Sequence, residues 1–231
     1  LPIGGVSIVV ITVAALTGTL KIGEAISGFA NSAIWLIVGA FLFSRGFIKT
    51  GLGKRIAYNL IAAFGSSSLR LSYALALSDL ILAPATPSNT ARVGGVIMPI
   101  TTSLAKAFGS EPQDGPRKIG SFLMQSIYQV NTITSAMFQT SMAGNTLVAA
   151  LALQSFGIGI TWGDWAMAAI VPGIIALIIM PYFIYKVYPP EIKDAREAQQ
   201  MIKEELKGLG KMSFQEWVML GVFVLALVLW A

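Results

Sequence analysis

A short polar segment at 84–92 interrupts an otherwise apolar stretch and carries residues suited to binding an anion. Two prolines open it, Ser88, Asn89 and Thr90 follow, and Arg92 ends it. Proline discourages helix before it, whereas serine, asparagine and threonine favour a helix start. A helix start presents backbone amides, and Arg92 adds a permanent positive charge. The segment therefore predicts a site for a negatively charged solute.

A second polar region lies within 119–163, which contains no charged residue. Weak helix formers occupy 139–145, where Gly144 and Asn145 predict a break in the helix. An unwound helix exposes carbonyl oxygens to a cation and presents a new helix start to an anion. For the polar residues at 125–135, close packing between helices is the favoured interpretation.

Arg92 needs a partner or an aqueous cavity if it lies inside a membrane, because an arginine at the centre of a spanning helix costs ~3 kcal/mol or more on insertion. Asp79 is the candidate partner. An Asp79–Arg92 ion pair that only holds the segment together is the structural alternative to a role in binding.

The composition places these residues in a membrane. Of 231 residues, 55% are hydrophobic and 12% are charged, whereas soluble domains have about 25% charged residues. The sequence contains no cysteine and no histidine, which excludes disulfides, thiolate zinc sites and histidine-dependent nucleophiles within it. Asp79 also lacks a second intramembrane acid, which argues against an aspartyl protease. We predict a membrane protein that is not an enzyme.

The stretch around the polar segment is too irregular for a simple membrane span. Its apolar arms, 71–83 and 93–105, are each ~20 Å long as helices, too short for the ~30 Å hydrocarbon core. We predict a re-entrant helical hairpin over 70–108, with its tip near mid-membrane. Irregular backbone at that depth must be packed in protein or line an aqueous cavity.

The remaining spans and the basic residues together predict the topology. Three uncharged runs have about the ~20 residues that a spanning helix needs: 1–20, 25–44 and 165–185. If 119–156 crosses once as an interrupted helix, the 16 lysines and arginines fall on one face, apart from Lys21 and the intramembrane Arg92. The positive-inside rule makes that face cytoplasmic. The net charge of +5 then needs no nucleic-acid partner.

Two charged segments on this face have helical patterns. Within 49–64, apolar residues recur every four positions and predict a helix in the headgroup plane: Leu52, Ile56, Leu60 and Phe64. The connector 186–216 has a weaker stripe, which leaves a solvated and a membrane-contacting helix equally open. Ser213 and Glu216 have the spacing of a capping box, which predicts a new helix over the final apolar run. We expect the sequence to be part of a longer polytopic protein.

Several of these motifs resemble one transporter family. The Ser88-Asn89-Thr90 triplet at a hairpin tip resembles the signature of the divalent anion:sodium symporter family. Three further segments resemble its branch of 2-oxoglutarate/malate and citrate/succinate translocators: Ser135-Ala136-Met137-Phe138, Met142-Ala143-Gly144-Asn145 and Pro189-Pro190-Glu191. The resemblance runs along the whole chain but covers about the first half of such a transporter.

The resemblance implies an all-α, multi-pass, inverted-repeat protein that works as a homodimer by an elevator mechanism. Residues 1–64 would contain scaffold helices and the interfacial helix. Residues 65–156 would form the transport-domain part, with the hairpin and the interrupted helix. Residues 157–231 would supply a spanning helix, the charged connector and the start of the second repeat.

The resemblance also implies the roles of individual residues. Asn89 and Thr90 would donate hydrogen bonds to a substrate carboxylate. The full set of expected substrate-binding residues is Ser88, Asn89, Thr90, Arg92 and Asn145. If the protein is sodium-coupled, the expected cation site is formed by Ser88, Asn89, Thr140 and Ser141. No cofactor is expected, and Na⁺ enters only in the symport alternative.

One departure from the family pattern favours exchange over symport. Sodium-coupled members have a hydroxyl residue four positions before the serine of the triplet, where this chain has Pro84. Exchangers of the family resemble this chain in placing a basic residue, here Arg92, where sodium would lie. A fixed charge stranded in an empty low-dielectric site hinders return of the unloaded carrier. We therefore expect exchange of small di- and tricarboxylates in a bacterial inner membrane. Sodium symport is the main alternative, and a channel or scaffold subunit is a remote one.

Overall fold

A computed structural model describes residues 2–230, with the backbone alone at residues 32 and 33. Within that range the chain is helical, and an isolated antiparallel bridge joins Ser67 and Asp194. The α-helices are α1 Ile3–Leu16, α2 Ile22–Ala25, α3 Ser32–Thr50, α4 Leu52–Phe64, α5 Ser68–Leu82, α6 Asn89–Arg92, α7 Met98–Ala107, α8 Gly120–Met137, α9 Ala143–Phe156, α10 Trp162–Val187, α11 Arg196–Gly208 and α12 Phe214–Trp230.

The chain divides into two compact units within α3, between Gly39 and Ala40. The first unit contains α1, α2 and the start of α3, and neither α1 nor α2 has a buried residue. The second unit contains everything that forms the site described below. The boundaries predicted at 64 and 156 stay predictions.

Among the residues that the structure describes, one helix, α10, is long and apolar enough to cross a membrane by itself. Helices α3 and α4 pass the same test only as a pair bent by 61°, and Gly51 lies at the bend with φ 80°. Helices α1 and α12 are apolar but shorter. A capping box fixes the start of α10, since the Asp164 amide donates to Thr161 Oγ1 at 3.1 Å and the Thr161 amide donates to Asp164 Oδ2 at 3.0 Å.

The hairpin consists of α5, an irregular tip and a second helical arm. The second arm starts at Asn89 as α6, continues as a π-helix over Val93–Ile97 and ends with α7 at Ala107. The predicted interrupted helix corresponds to α8 and α9. Apolar side chains of α5, α7 and α8, including Leu75, Leu104 and Leu123, form the core between these elements.

The helix break lies earlier than the sequence predicts. Phe138 and Met142 are extended, with a 3₁₀ turn at Gln139–Ser141 between them. Gly144 and Asn145, which we expected to break the helix, belong to the first turn of α9. The amide of Asn145 donates a hydrogen bond to the carbonyl of Met142. Asn145 is therefore already part of the new helix.

The two charged segments pack differently from the patterns in their sequences. Helix α4 buries Leu52, Tyr58 and Ile61, whereas Phe64 of the predicted stripe is exposed. It contacts α5 and α11 on its buried side, so it packs against protein instead of only lying in the headgroup plane. The connector helix α11 likewise buries Ala198 and Ile202.

Backbone hydrogen bonds of the segment 191–195 join the connector to the start of α5 and to the loop before α8. These are Glu191 N to Arg117 O (3.1 Å), Ile192 N to Lys118 O (2.9 Å), Ser68 N to Lys193 O (3.0 Å) and Ala195 N to Ser66 O (3.2 Å). The capping box at the start of α12 is confirmed, because the Glu216 amide donates to Ser213 Oγ and the Ser213 amide donates to Glu216 Oε2. Glu216 also pairs with buried Arg55 at 2.6 Å, which joins α12 to α4.

Candidate functional site

The hairpin tip is buried at its prolines and accessible at the polar triplet. Pro84 and Pro87 are buried, whereas Ser88 and Asn89 are half-buried and Thr90 is exposed. Ser88 is extended and caps α6, since its Oγ accepts from the Ala91 amide at 3.2 Å. The sequence prediction of a helix start at this triplet is confirmed.

The side-chain oxygen of Asn89 accepts a hydrogen bond from the protein, whereas its side-chain NH₂ group stays available as a donor. Its Oδ1 accepts from the Thr90 amide at 2.9 Å. To the residues that the structure describes, Asn89 Nδ2 makes no hydrogen bond. The first turn of α6 therefore offers a half-exposed amide donor beside the exposed hydroxyl of Thr90.

Arg92 lies two residues further on and is 1% exposed. All five of its N–H groups have protein acceptors. Nε donates to Asp79 Oδ1 (2.9 Å), Nη1 to the carbonyls of Thr86 (3.0 Å) and Ser141 (3.2 Å), and Nη2 to Thr134 Oγ1 (3.2 Å) and Ser135 Oγ (3.0 Å). In this arrangement the guanidinium has no donor left for a substrate carboxylate.

Asp79 completes this buried cluster from α5. It is 2% exposed, and besides Arg92 it accepts from Asn131 Nδ2 at 3.2 Å and from the hydroxyl of Thr134. The ion pair that the sequence left as a structural alternative is therefore formed. Removing one partner of a buried pair leaves an uncompensated charge, which typically costs about 3–5 kcal/mol. Direct contact of Arg92 with a substrate stays a prediction.

The expected residues of the helix break satisfy the carbonyls that the break exposes. Asn145 Nδ2 donates to Ser135 O at 2.7 Å and to Phe138 O at 2.9 Å. The hydroxyl oxygen of Ser141 lies 2.6 and 2.7 Å from the same two carbonyl oxygens, so its one proton serves either of them. Because a buried carbonyl without a donor is unfavourable, these contacts stabilise the end of α8.

Hydrogen bonds join the break to the hairpin tip. The amide of Ala143, the first residue of α9, donates to Pro87 O at 2.9 Å, and Thr140 Oγ1 donates to Pro84 O at 2.8 Å. Helices α6 and α9 therefore begin next to each other. Helix starts carry a partial positive charge, so two of them together favour an anion.

Several residues that hydrogen-bond to the site residues are not predicted from the sequence. Thr134 and Ser135 bind Arg92, although we interpreted the polar residues at 125–135 as packing residues. Trp162 donates from Nε1 to Thr140 Oγ1 at 3.0 Å, which links α10 to the break. The π-helical turn after Arg92 was also not predicted. The Gly94-Gly95 pair within that turn was its only sequence signal.

Comparison with known proteins identifies the family of the chain. The family model described as "Sodium:sulfate symporter transmembrane region" matches residues 1–231. The chain belongs to this family. The resemblance to divalent anion:sodium symporters is thus confirmed, and with it the expectation of a helical membrane protein.

Curated relatives match along most of the chain. It is 55% identical over its full length to "Putative malate transporter YflS" of Bacillus subtilis (strain 168), covering 48% of that protein. It is 47% identical over its full length to "Dicarboxylate transporter 1, chloroplastic" of Spinacia oleracea, covering 41%. It is 42% identical over 89% of its length to "L-tartrate/succinate antiporter" of Escherichia coli (strain UTI89 / UPEC), covering 42%. The chain spans about half the length of these relatives.

Proposed function

We propose that this chain is the first-repeat part of a secondary transporter that exchanges small di- and tricarboxylates across a bacterial cell membrane. One observation carries the proposal. The Ser88-Asn89-Thr90 helix start is accessible, has an available amide donor and is hydrogen-bonded to a second helix start at Ala143. The names of relatives that transport malate, tartrate or succinate point to the same substrate class.

In the proposed site the triplet contacts the substrate. Asn89 Nδ2 and Thr90 Oγ1 donate to one carboxylate, and Ser88 holds the helix start that faces it. Asn145 acts through the end of α8, whose carbonyls it binds. The second half of the pocket is supplied by the part of the transporter outside this sequence.

Arg92 supports exchange rather than sodium symport. Its N–H groups donate to the carbonyl oxygens of Thr86 and Ser141, and Thr140 Oγ1 donates to Pro84 O. Such oxygens are the groups that a sodium ion would otherwise take at an unwound helix. A guanidinium cannot dissociate with the substrate, so no sodium gradient can be coupled through it.

Asp79 changes the electrostatic reason for exchange. Because it neutralises Arg92, the empty site does not strand a whole uncompensated charge. The exchange proposal then depends mainly on the guanidinium permanently filling the cation position. Sodium symport is the second candidate, favoured by the description of the matching family as sodium:sulfate symporters.

The contacts also suggest which elements move together. Arg92, Ala143 and Thr140 join the hairpin to the broken helix, which fits one transport-domain body over 65–156. In the elevator mechanism this body moves against scaffold helices, here 1–64, in a homodimer of inverted repeats. Residues 157–231 then supply a spanning helix, the charged connector and the start of the second repeat.

Uptake by the full-length transporter in proteoliposomes tests the function. We expect labelled malate to enter only when the lumen contains a dicarboxylate, with saturation and without need for Na⁺. Accumulation in empty vesicles under a Na⁺ gradient would replace exchange by symport. Flux that neither saturates nor responds to internal substrate would show a channel instead.

A further inference from the structure

We propose that the groove between the end of α4 and the first turns of α5 binds an anionic phospholipid of the cytoplasmic leaflet. The groove has a volume of about 460 Å³. Its lining residues are Ala63, Phe64, Arg70, Tyr73, Ala74 and Leu77. It uses none of the residues proposed to bind the dicarboxylate.

Along α5, the groove changes from a charged end at Arg70 to an apolar end at Leu77, as a phospholipid changes from its headgroup to its acyl chains. Arg70, Tyr73, Ala74 and Leu77 are spaced i, i+3, i+4 and i+7 on α5, so they share one helix face. At ~1.5 Å per residue, Leu77 lies about 10 Å further along the helix than Arg70. A phosphate bound at Arg70 would therefore direct an acyl chain along the apolar part of the groove.

Arg70 has donors available for a phosphate. It is exposed, and one of its N–H groups donates to Ser66 Oγ at 3.2 Å. In the part of the chain that the structure describes, no carboxylate forms an ion pair with it. The nearby Asp194 is paired with Arg196 at 2.5 Å, and hydrogen bonds from Arg196 hold the pKa of the Asp194 carboxyl below its usual value. An arginine with free N–H groups suits the bidentate recognition of phosphate.

The walls of the groove suit an acyl chain. Phe64 and Leu77 are 55% and 38% exposed, and Ala74 forms a buried floor. Tyr73 is held in place, because its hydroxyl donates to Ile178 O of α10 at 2.5 Å. Arg70 belongs to the basic residues that the positive-inside rule places at the cytoplasmic face. Anionic lipids are attracted to basic residues at that surface.

Bound phosphatidylglycerol per transporter, measured by native mass spectrometry on the full-length protein, tests the proposal. We expect Arg70→Gln to lower the bound phosphatidylglycerol about five-fold. Arg45→Gln, which removes an equally exposed basic side chain outside the groove, should leave it unchanged. Leu77→Trp, which fills the groove and keeps Arg70, should lower it as well.

Equal lipid occupancy in Arg70→Gln and Arg45→Gln would overturn the proposal. So would displacement of the lipid by free inorganic phosphate, because the site would then recognise phosphate alone. Crosslinking of Leu77→Cys to the other half of the transporter would show that protein covers the groove, and would overturn it too. Malate exchange by Arg70→Gln tests the proposed function separately, since Arg70 is not part of that site.

Discussion

The hairpin tip and the cluster directly beneath it differ in nearly every physical respect, although Thr90 and Arg92 are two residues apart. Thr90 is exposed and Asn89 keeps a free side-chain donor within the described residues. Arg92 is 1% exposed and uses all five donors on protein acceptors. Available donors can bind a solute, whereas satisfied donors fix the positions of other groups.

From the sequence, we expect both the triplet and Arg92 to bind substrate. The contrast instead indicates that the triplet is suited to binding a solute and that Arg92 holds other groups in place. A polar residue inside a membrane segment is costly, and the cost can be offset by a ligand or by another part of the protein. The triplet fits the first case and the Asp79–Arg92 pair fits the second. Substitutions in the two regions should therefore affect different measured quantities.

The largest effect is expected from Asp79→Ala, which leaves the Arg92 guanidinium buried without its carboxylate. We expect the free energy of unfolding of the full-length transporter to fall by about 3–5 kcal/mol, seen as a lower unfolding midpoint in detergent. The double variant Asp79→Ala, Arg92→Ala buries neither charge and should be less destabilised than the sum of the single variants. Additive losses would show that the two residues are not coupled.

An intermediate effect, confined to binding, is expected from Asn89→Ala. Loss of a hydrogen bond to a charged group costs about 1.5–3 kcal/mol, so malate affinity measured by calorimetry should fall roughly ten- to a hundred-fold. The unfolding midpoint should hardly change. Lys54→Ala is the control, because Lys54 is exposed, lies over the Tyr58 ring and is not one of the residues proposed to contact the substrate. Equal loss of affinity in both variants would mean that the site is misplaced.

The smallest effect is expected from Ser88→Ala, which removes the cap of α6. Loss of a serine N-cap costs about 0.5–2 kcal/mol of stability, and the helix start that we propose to face the substrate should loosen. Ser88→Gly should cost only a few tenths of a kcal/mol, since glycine is tolerated at this position. The measurement is the unfolding midpoint of each variant with and without malate. A Gly variant as unstable as the Ala variant would argue against the cap.

Much of the hairpin could be predicted because its signals are local. Two prolines and a run of capping residues fix where helix ends and begins, whatever surrounds them. The helix start at Asn89, the cap by Ser88 and the capping box of Ser213 and Glu216 all follow from such signals. Asp79 could be named as a partner because a buried arginine requires one.

The remaining features depend on which side chains contact each other in the folded chain, whether they are close together or far apart in the sequence. The break begins at Phe138 because Asn145 and Ser141 bind the freed carbonyls, which no local propensity reveals. Likewise the topology prediction places Arg55 among the basic residues of the cytoplasmic face, yet it is buried against Glu216 of α12. A sequence does not show which polar side chains find hydrogen-bond partners inside the fold, because the partners are known only from the structure.

Cysteine labelling measures most directly whether a dicarboxylate covers the hairpin tip in the absence of sodium. A cysteine replaces Thr90 in a full-length transporter that is otherwise free of cysteine, and its rate of maleimide labelling is followed with and without malate. We expect malate to slow labelling at this position in sodium-free buffer, but not at Gln113→Cys in an exposed loop. Labelling at position 90 that is insensitive to malate, or protected only when Na⁺ is present, would contradict it.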